Sequence, residues 1–510
     1  MAVDTSGWVF RGGVFLVGPV IGAVDKSSVR LLVETSVDVE VQLTALAGGK
    51  TVSRAQSGAK ARTPTAFLLK GLPSGASITV EVTAAGETRQ AQFRTLGEKK
   101  DWKIGMVSCN NHKYTQGIKL WEKLALEVGT LDCIIHMGDQ VYADETFFRS
   151  VNPSADVDSK RDARESSYGR ARALLIDKHP SVWKDHIPEV LELYREVYRL
   201  TWNFPAVAKV LASASNYMIL DDHEVVDDLG DLEEHANPNS MEGFIIRVAY
   251  QVYMEYQMQL YRGSVRVTDP GTPAFGSFKL GTDLGIFLLD VRLARSIQKK
   301  KAKNPNQEYL GPDQWAALQK ALTSDLKGCK ALLVVSPTPV MLLSSVAVDF
   351  ASNFTDDVRG AWGNKRFHME LVNFLRLLSD WQAAKPSRGL CILSGDAHIG
   401  GFTEGQIRNK VPPVNQIVSS AIGNEAPVAG LANKLIAKVA LELAEIRTSI
   451  KVDHNDFVFE PNFGTLAIGI AGGSSARPTF KGTLHTGKGE TTRDLRTSVT
   501  GSGGGCCSIS

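Results

Sequence analysis

Four short polar clusters, far apart in a chain of 510 residues, each follow an apolar run that reads as a strand. KIGMVS leads into Cys109 and Asn110, LDCIIHM into GDQVYADE with Asp139 and Tyr142, NYMIL into Asp221, Asp222, His223 and Glu224, and LCILS into GDAH with Asp396 and His398. Two carboxylates about 4 Å apart repel by ~1 kcal/mol in water and ~4 kcal/mol at a partly buried site. Asp221 and Asp222 therefore either open a helix, whose positive end suits them, or share a cation. Thiolate and phenolate together suit Fe or Zn, and carboxylate-only positions suit Ca, Mg or Mn. A set this anionic can hold two metals, and two metals about 3.5–4 Å apart form a clamp for phosphoester hydrolysis. In that chemistry a metal-bound hydroxide attacks in line, and a nearby His protonates the leaving oxygen.

The elements that must position these residues are legible as a change of texture. Residues 1–98 hold short β-branched runs such as SVRLLVETSVDVEVQLTAL and SITVEVTAAGETRQAQFRTL, with Gly, Ser and Pro between them, which predicts an N-terminal β-sandwich of the Ig or fibronectin kind. From residue 99 the pattern becomes strand, helix, strand. In QGIKLWEKLALEV the residues Ile118, Trp121, Leu124, Ala125 and Val128 recur at helical spacing between two apolar strands. This is the pattern of an α/β layered domain, expected over residues 99–489. In open α/β sheets ligands bind beyond the carboxyl ends of strands, which puts all four clusters on one edge.

SCN, GDQVYADE, DDHEV and LSGDAH, in that order, resemble the PhoD-like alkaline phosphatases, a family of metallophosphoesterases distantly related to purple acid phosphatases. YREVYRLTWNFPAVAKVLASASNYMILDDHE and LLDVR fit further positions, so the resemblance covers nearly the whole chain. It implies a calcineurin-like α/β/β/α sandwich behind the N-terminal β-sandwich. It also implies Cys109 and Tyr142 as ligands of Fe(III), Asp139 as the bridging carboxylate, and Asp222 on a second divalent metal. Calcium is usual there, with Zn, Mn and Mg as alternatives. Asp396 and His398 are implied as the remaining ligands, His223 as proton donor to the leaving group, and Arg292 and Asn110 as phosphate contacts, the planar fork of Arg suiting that role. Where family members often carry Asn after DDHEV, this chain has Val226, Asp227 and Asp228, which changes the charge of the second metal position. Asp227, Asp228 and Asp231 read as a solvated acidic face, and His112 and His136 as structural histidines.

A net charge of +2 gives no reason to expect nucleic acid, and the KKKAK run at residues 299–303 reads as a solvated loop. Six cysteines do not make a disulfide framework, so a reducing compartment is the default. From Glu490 the chain loses apolar content and ends TGSGGGCCSIS, which predicts a flexible tail over residues 490–510. CSIS fits the prenylation pattern at Cys507, and Cys506 would suit palmitoylation, since one chain alone anchors only marginally. The expected protein is a cytosolic phosphatase or phosphodiesterase of a eukaryotic cell, tethered to the cytoplasmic face of a membrane if lipidated. The alternatives are a phospholipase D-like diesterase working on phospholipid at that surface, and an inactive membrane-tethered binding module.

Overall fold

The structure is a computed structural model that describes residues 13–111, 115–145, 164–262, 273–295, 307–342, 361–364, 366–424, 445–446, 450–470, 472 and 476–498. His112, the basic run at 299–303, Cys506 and Cys507 lie outside the described residues.

Two small antiparallel sheets form the N-terminal unit. One has the order Phe15–Val24, Ser28–Thr35, Thr65–Lys70, and the other Lys50–Ala59, Val39–Ala47, Ser77–Ala84, Glu87–Arg94. Successive side chains of a strand point to opposite faces. In Ser77–Ala84 this turns Ile78, Val80, Val82 and Ala84 inward, and they share one core with Leu31, Val33, Val41 and Leu43.

Two larger sheets carry the remainder. In the first, Ser215–Ile219, Cys133–Met137 and Asp101–Val107 run parallel, and antiparallel strands follow on the far side. In the second, Leu284–Leu288, Ala331–Ser336, Gly389–Ser394 and Val414–Val418 run parallel in that order. Parallel strands buried on both faces read as continuous apolar runs, which is why CIIHM and ALLVVS lack polar alternation. Ile104, Met106, Ile135, Met137 and Ile219 of the first sheet meet Ile286, Leu288, Leu333, Val335 and Leu393 of the second in one core. The opposite faces pack on helices. Ile134 and Met218 join the helices Thr115–Glu127, Ile187–Trp202 and Met241–Tyr256, while Leu332, Val334 and Ile392 join helix His368–Ala383. Among the described residues no helix is long and apolar enough to cross a membrane.

The tail expected from Glu490 begins later. Glu490–Leu495 is a strand paired antiparallel with Thr479–Thr486 at the edge of the first sheet. Its low apolar content reflects an edge strand with a solvated face, on which Leu495 is the buried residue.

The N-terminal unit is fastened to the α/β region by polar groups taken out of water. Glu34 is 0% exposed and accepts two bonds from Arg199, which is 2% exposed, at 2.8 Å from Nε and 2.6 Å from Nη2; Tyr256 also donates to it. Ser215 and Asn216 donate across the same junction to the Gly22 and Ile21 carbonyls. Removing one partner of a buried ion pair leaves the other charge uncompensated, a loss of about 3–5 kcal/mol. Glu192 also pairs with Arg199 and softens this. Glu34→Ala is expected to lower unfolding stability by about 3 kcal/mol, read from the midpoint and slope of urea denaturation; an unchanged midpoint would show that Glu192 alone compensates Arg199.

Candidate metal centre

The acidic stretch at Asp221 opens no helix: residues 221–232 form turns, and the next helix is the short Glu233–Ala236. Instead, the chain ends of both large sheets converge. Cys109 lies two residues past Val107, Asp139 two past Met137, Asp221 two past Ile219, Asp396 two past Ser394, and Arg292 four past Leu288. At these ends the backbone must turn sharply. Nine non-glycine residues have positive φ among those described; four of them are the expected ligands Cys109 (54°), Asp139 (56°), Asp396 (62°) and His398 (52°). Such conformations cost of order 1–3 kcal/mol each and persist where surrounding structure over-determines them.

Glu224 supplies much of that determination. Its buried carboxylate accepts the backbone N–H groups of Asp139 (3.1 Å), Gln140 (2.7 Å) and Asp221 (3.0 Å), and the Gln257 amide at 3.2 Å. Two of the polar loops are thereby tied to one side chain. The loop after Val414–Val418 does the same for a third group. Ser420 donates to Cys109 Sγ at 3.1 Å and accepts the His398 N–H at 3.1 Å. Asn424 donates to the Tyr142 hydroxyl at 3.1 Å and lies 3.2 Å from His398 Nε2, which is itself 3.4 Å from that hydroxyl.

Within this frame, ligand atoms of Asp139, Asp222 and His223 lie within 4.8 Å of one another, as do those of Asp221, Asp222 and Asp396. Cys109 Sγ is 3.4 Å from Asp139 Oδ2. The His223 ring stacks on Tyr142 with centroids 4.2 Å apart, and its Nδ1 is 2.9 Å from Asp144. Arg292 is buried and binds Asp221 through Nε, with Nη2 at 3.1 Å from Asp222 and 3.3 Å from Asp396. Asn110 is turned away from this group. Its Oδ1 accepts from Trp121 Nε1 at 2.8 Å and its Nδ2 donates to the Gln140 carbonyl, so both ends of the amide brace the loops.

The electrostatics are those of a site short of positive charge. Burial pushes the Cys109 thiol up to about 12, with Asp396 adding to it. Burial, then Cys109 and Asp221, raise Asp139 well above the usual carboxylate range, and burial raises Tyr142 and Asp221 likewise. For Asp222 burial opposes ionisation, but Arg292 and His223 outweigh it and hold the group low. Burial would discharge His223, yet Asp144, Asp139 and Asp222 together keep it charged well above its ordinary range.

A family model for PhoD-like phosphatases matches residues 104–459. The chain belongs to the PhoD-like phosphatase family. The solved structure of PhoD aligns over 97% of this chain and 94% of its own, with a TM-score of 0.69 and 14% sequence identity, a likeness of fold. GAP50, the anchor in the inner membrane complex of Plasmodium, aligns over 78% of this chain and 90% of its own at a TM-score of 0.38 and 10% identity. No curated protein matches.

PhoD-like phosphatases depend on metal, and the donor set here fits one. Five carboxylates, Asp139, Asp144, Asp221, Asp222 and Asp396, gather around the Arg292 guanidinium and the His223 imidazole, with the His398 imidazole beside Tyr142. Asp221 Oδ2 is buried with no hydrogen-bond partner. Bound cations invert the local pKa logic and would ionise the thiol and phenol that burial now keeps protonated.

Several participants escaped the sequence reading. Asp144 and Glu224 stand inside quoted motifs without an assigned role, and Ser420 and Asn424 follow a strand, QIV, that runs into SSAIGN in the same manner as the four recognised clusters. Asp231 belongs to no solvated face, because it pairs with the buried Arg295. His136 is structural as expected, held between Gln140 and Asn216 at 2.6 and 2.8 Å. Partners that orient metal ligands typically change affinity 10–100-fold when mutated. Glu224→Ala is expected to reduce metal affinity by at least about 10-fold in calorimetric titration of the metal-stripped protein; wild-type affinity would show that the loops hold their shape without it.

Proposed function

We propose that this chain hydrolyses phosphate monoesters or diesters at a two-metal centre. The observation that carries this reading is the convergence of Cys109, Asp139, Tyr142, Asp222, His223, Arg292, Asp396 and His398 at the strand ends of two face-to-face sheets. Sheets packed on one core with helices outside agree with a calcineurin-like sandwich, and the paired N-terminal sheets with an Ig or fibronectin-like module. Cys109 and Tyr142 would hold Fe(III), Asp139 would bridge, and Asp222, Asp396 and His398 would complete the set with a second divalent ion, calcium by family habit. When bound, the metals supply charge neutralisation and Lewis-acid activation of the attacking water.

The chain's own residues do the rest. Arg292 is fixed through Nε by Asp221, and its Nη1, which makes none of the carboxylate contacts, is the donor left for a phosphate oxygen. His223 stands beside Asp139 and Asp222 with its ring held flat on Tyr142, in place to protonate the leaving oxygen. The expected result is near-stoichiometric iron plus a second metal by elemental analysis, a visible charge-transfer band, and loss of phosphoester hydrolysis on chelation. His223→Ala is expected to lower kcat by about 100-fold or more with metal content kept. A folded protein without bound metal would favour the inactive binding module instead.

The sequence CCSIS supports a further part of the reading: a farnesyl group on Cys507 and a palmitoyl group on Cys506 would bring the enzyme to the cytoplasmic face of a eukaryotic membrane, where a phospholipid or lipid-linked diester becomes a substrate class. The intact mass of protein from eukaryotic cells is expected to carry the lipid; an unmodified C-terminus would remove the tether.

A further inference from the structure

We propose that the loop after Val414–Val418 tunes two ligands of the centre, Ser420 by a hydrogen bond to the Cys109 sulfur and Asn424 by one to the Tyr142 oxygen; the role rests on the iron-binding reading above. Cys109 Sγ accepts from the Ser420 hydroxyl at 3.1 Å, and the Tyr142 oxygen accepts from the Asn424 amide at 3.1 Å. Cys109, Tyr142 and Ser420 are 0% exposed and Asn424 8%, so water is kept from competing for either bond. Each ligand atom also faces another member of the donor set. Cys109 Sγ donates to Asp139 Oδ2 at 3.4 Å, and the Tyr142 hydroxyl lies 3.4 Å from His398 Nε2. Metal binding takes the protons off thiol and phenol, and it leaves the Ser420 and Asn424 hydrogens in place.

The two donors are carried by a loop that the backbone holds. The Ile422 N–H donates to the Ser108 carbonyl at 3.0 Å and the Gly423 N–H to the Cys109 carbonyl at 3.2 Å. From the next strand, the Asn462 N–H donates to the Ala421 carbonyl at 2.8 Å and the Asn462 side-chain amide to the Ser420 carbonyl at 2.6 Å. A Cβ on Gly117 would come within 2.5 Å of Gly423 Cα, so the loop also lies close against the start of helix Thr115–Glu127. Replacing either side chain therefore removes a donor and leaves the loop its anchors.

A thiolate or phenolate that accepts a hydrogen bond gives up less charge to the metal it binds, and hydrogen bonds to ligand atoms are among the determinants of reduction potential. Losing the donor raises the ligand lone pair in energy. The charge-transfer band then moves to longer wavelength, and the ferric state is favoured, which lowers the potential. A residue that only holds the loop in shape moves neither. The experiment compares wild type, Ser420→Ala and Asn424→Leu as the metal-loaded full chain, by visible absorption, resonance Raman excited in the band, and reductive titration. The expected result is unchanged iron content, a band displaced to longer wavelength and a lower midpoint potential in each variant. Ser420→Ala is expected to shift the metal–sulfur vibration, and Asn424→Leu the phenolate vibrations. Band and potential at their wild-type values with iron retained, or a displacement to shorter wavelength, would overturn the tuning role of that residue. Loss of iron from a variant that thermal melting shows to be folded overturns it too, because the residue then holds the site rather than tunes it. Should Asn424→Leu melt early, Asn424→Ala replaces it and is judged by the same criteria. A wild type that binds no iron, or binds it without the band, defeats the assignment of Cys109 and Tyr142 as iron ligands, and this inference with it.

Discussion

Concentrating buried negative charge at one point is the constraint on which the rest of the structure depends. Asp139, Asp221 and Asp222 stand together almost wholly out of water, with Cys109 and Tyr142 beside them. In a medium of low polarity such groups either take up protons or gather cations. Arg292 answers part of the demand by touching three of the carboxylates, and His223 answers another part beside Asp144. The unpartnered Asp221 oxygen marks where the balance is still incomplete. In a site of this kind metal binding adds to the hydrogen bonds of Glu224 and Ser420 in holding the loops, so the two are coupled.

Holding like charges together requires that the backbone carrying them cannot relax. A single sheet edge could bring neighbouring strand ends together, but not enclose them. Here two sheets share an apolar core, and their parallel strands deliver ends from opposite sides: Cys109, Asp139 and Asp221 from one, Arg292, Asp396 and the Ser420 loop from the other. The left-handed conformations at Cys109, Asp139, Asp396 and His398 point those side chains into the shared space, and the carboxylate of Glu224 and the hydroxyl of Ser420 hold the turns shut. The N-terminal unit contributes at a distance, because the same Asn216 that anchors His136 also donates to the Ile21 carbonyl.

Much of this was legible in the sequence because its physics is local. An apolar run that stops at Asp or Cys records both a buried parallel strand and a polar group at its end, and the four such runs in the sequence are the ones whose ends converge. What was not legible depends on pairings across the fold. Asp144 sits in a quoted motif, yet its partner His223 is 79 residues away. Asn424 and Ser420 follow an apolar strand like the others but carry neutral side chains, so the charge signal that singled out Asp222 is missing. Glu490–Leu495 looked like tail because an edge strand is held by backbone pairing, which composition does not record.

Arg292 and Asn110 show the limit from the other side. The family resemblance implies both as phosphate contacts, yet their surroundings in the structure differ. The Asn110 amide is engaged at both ends by Trp121 and Gln140 and ties its loop to the helix Thr115–Glu127 and to the loop after Met137. Arg292 has five donors, of which three carboxylates take Nε and Nη2. Its buried charge gathers the cluster by drawing Asp221, Asp222 and Asp396 around one guanidinium. A guanidinium that serves three carboxylates at once needs a fixed pivot, and the contact between Nε and Asp221 supplies it while Nη2 reaches Asp222 and Asp396.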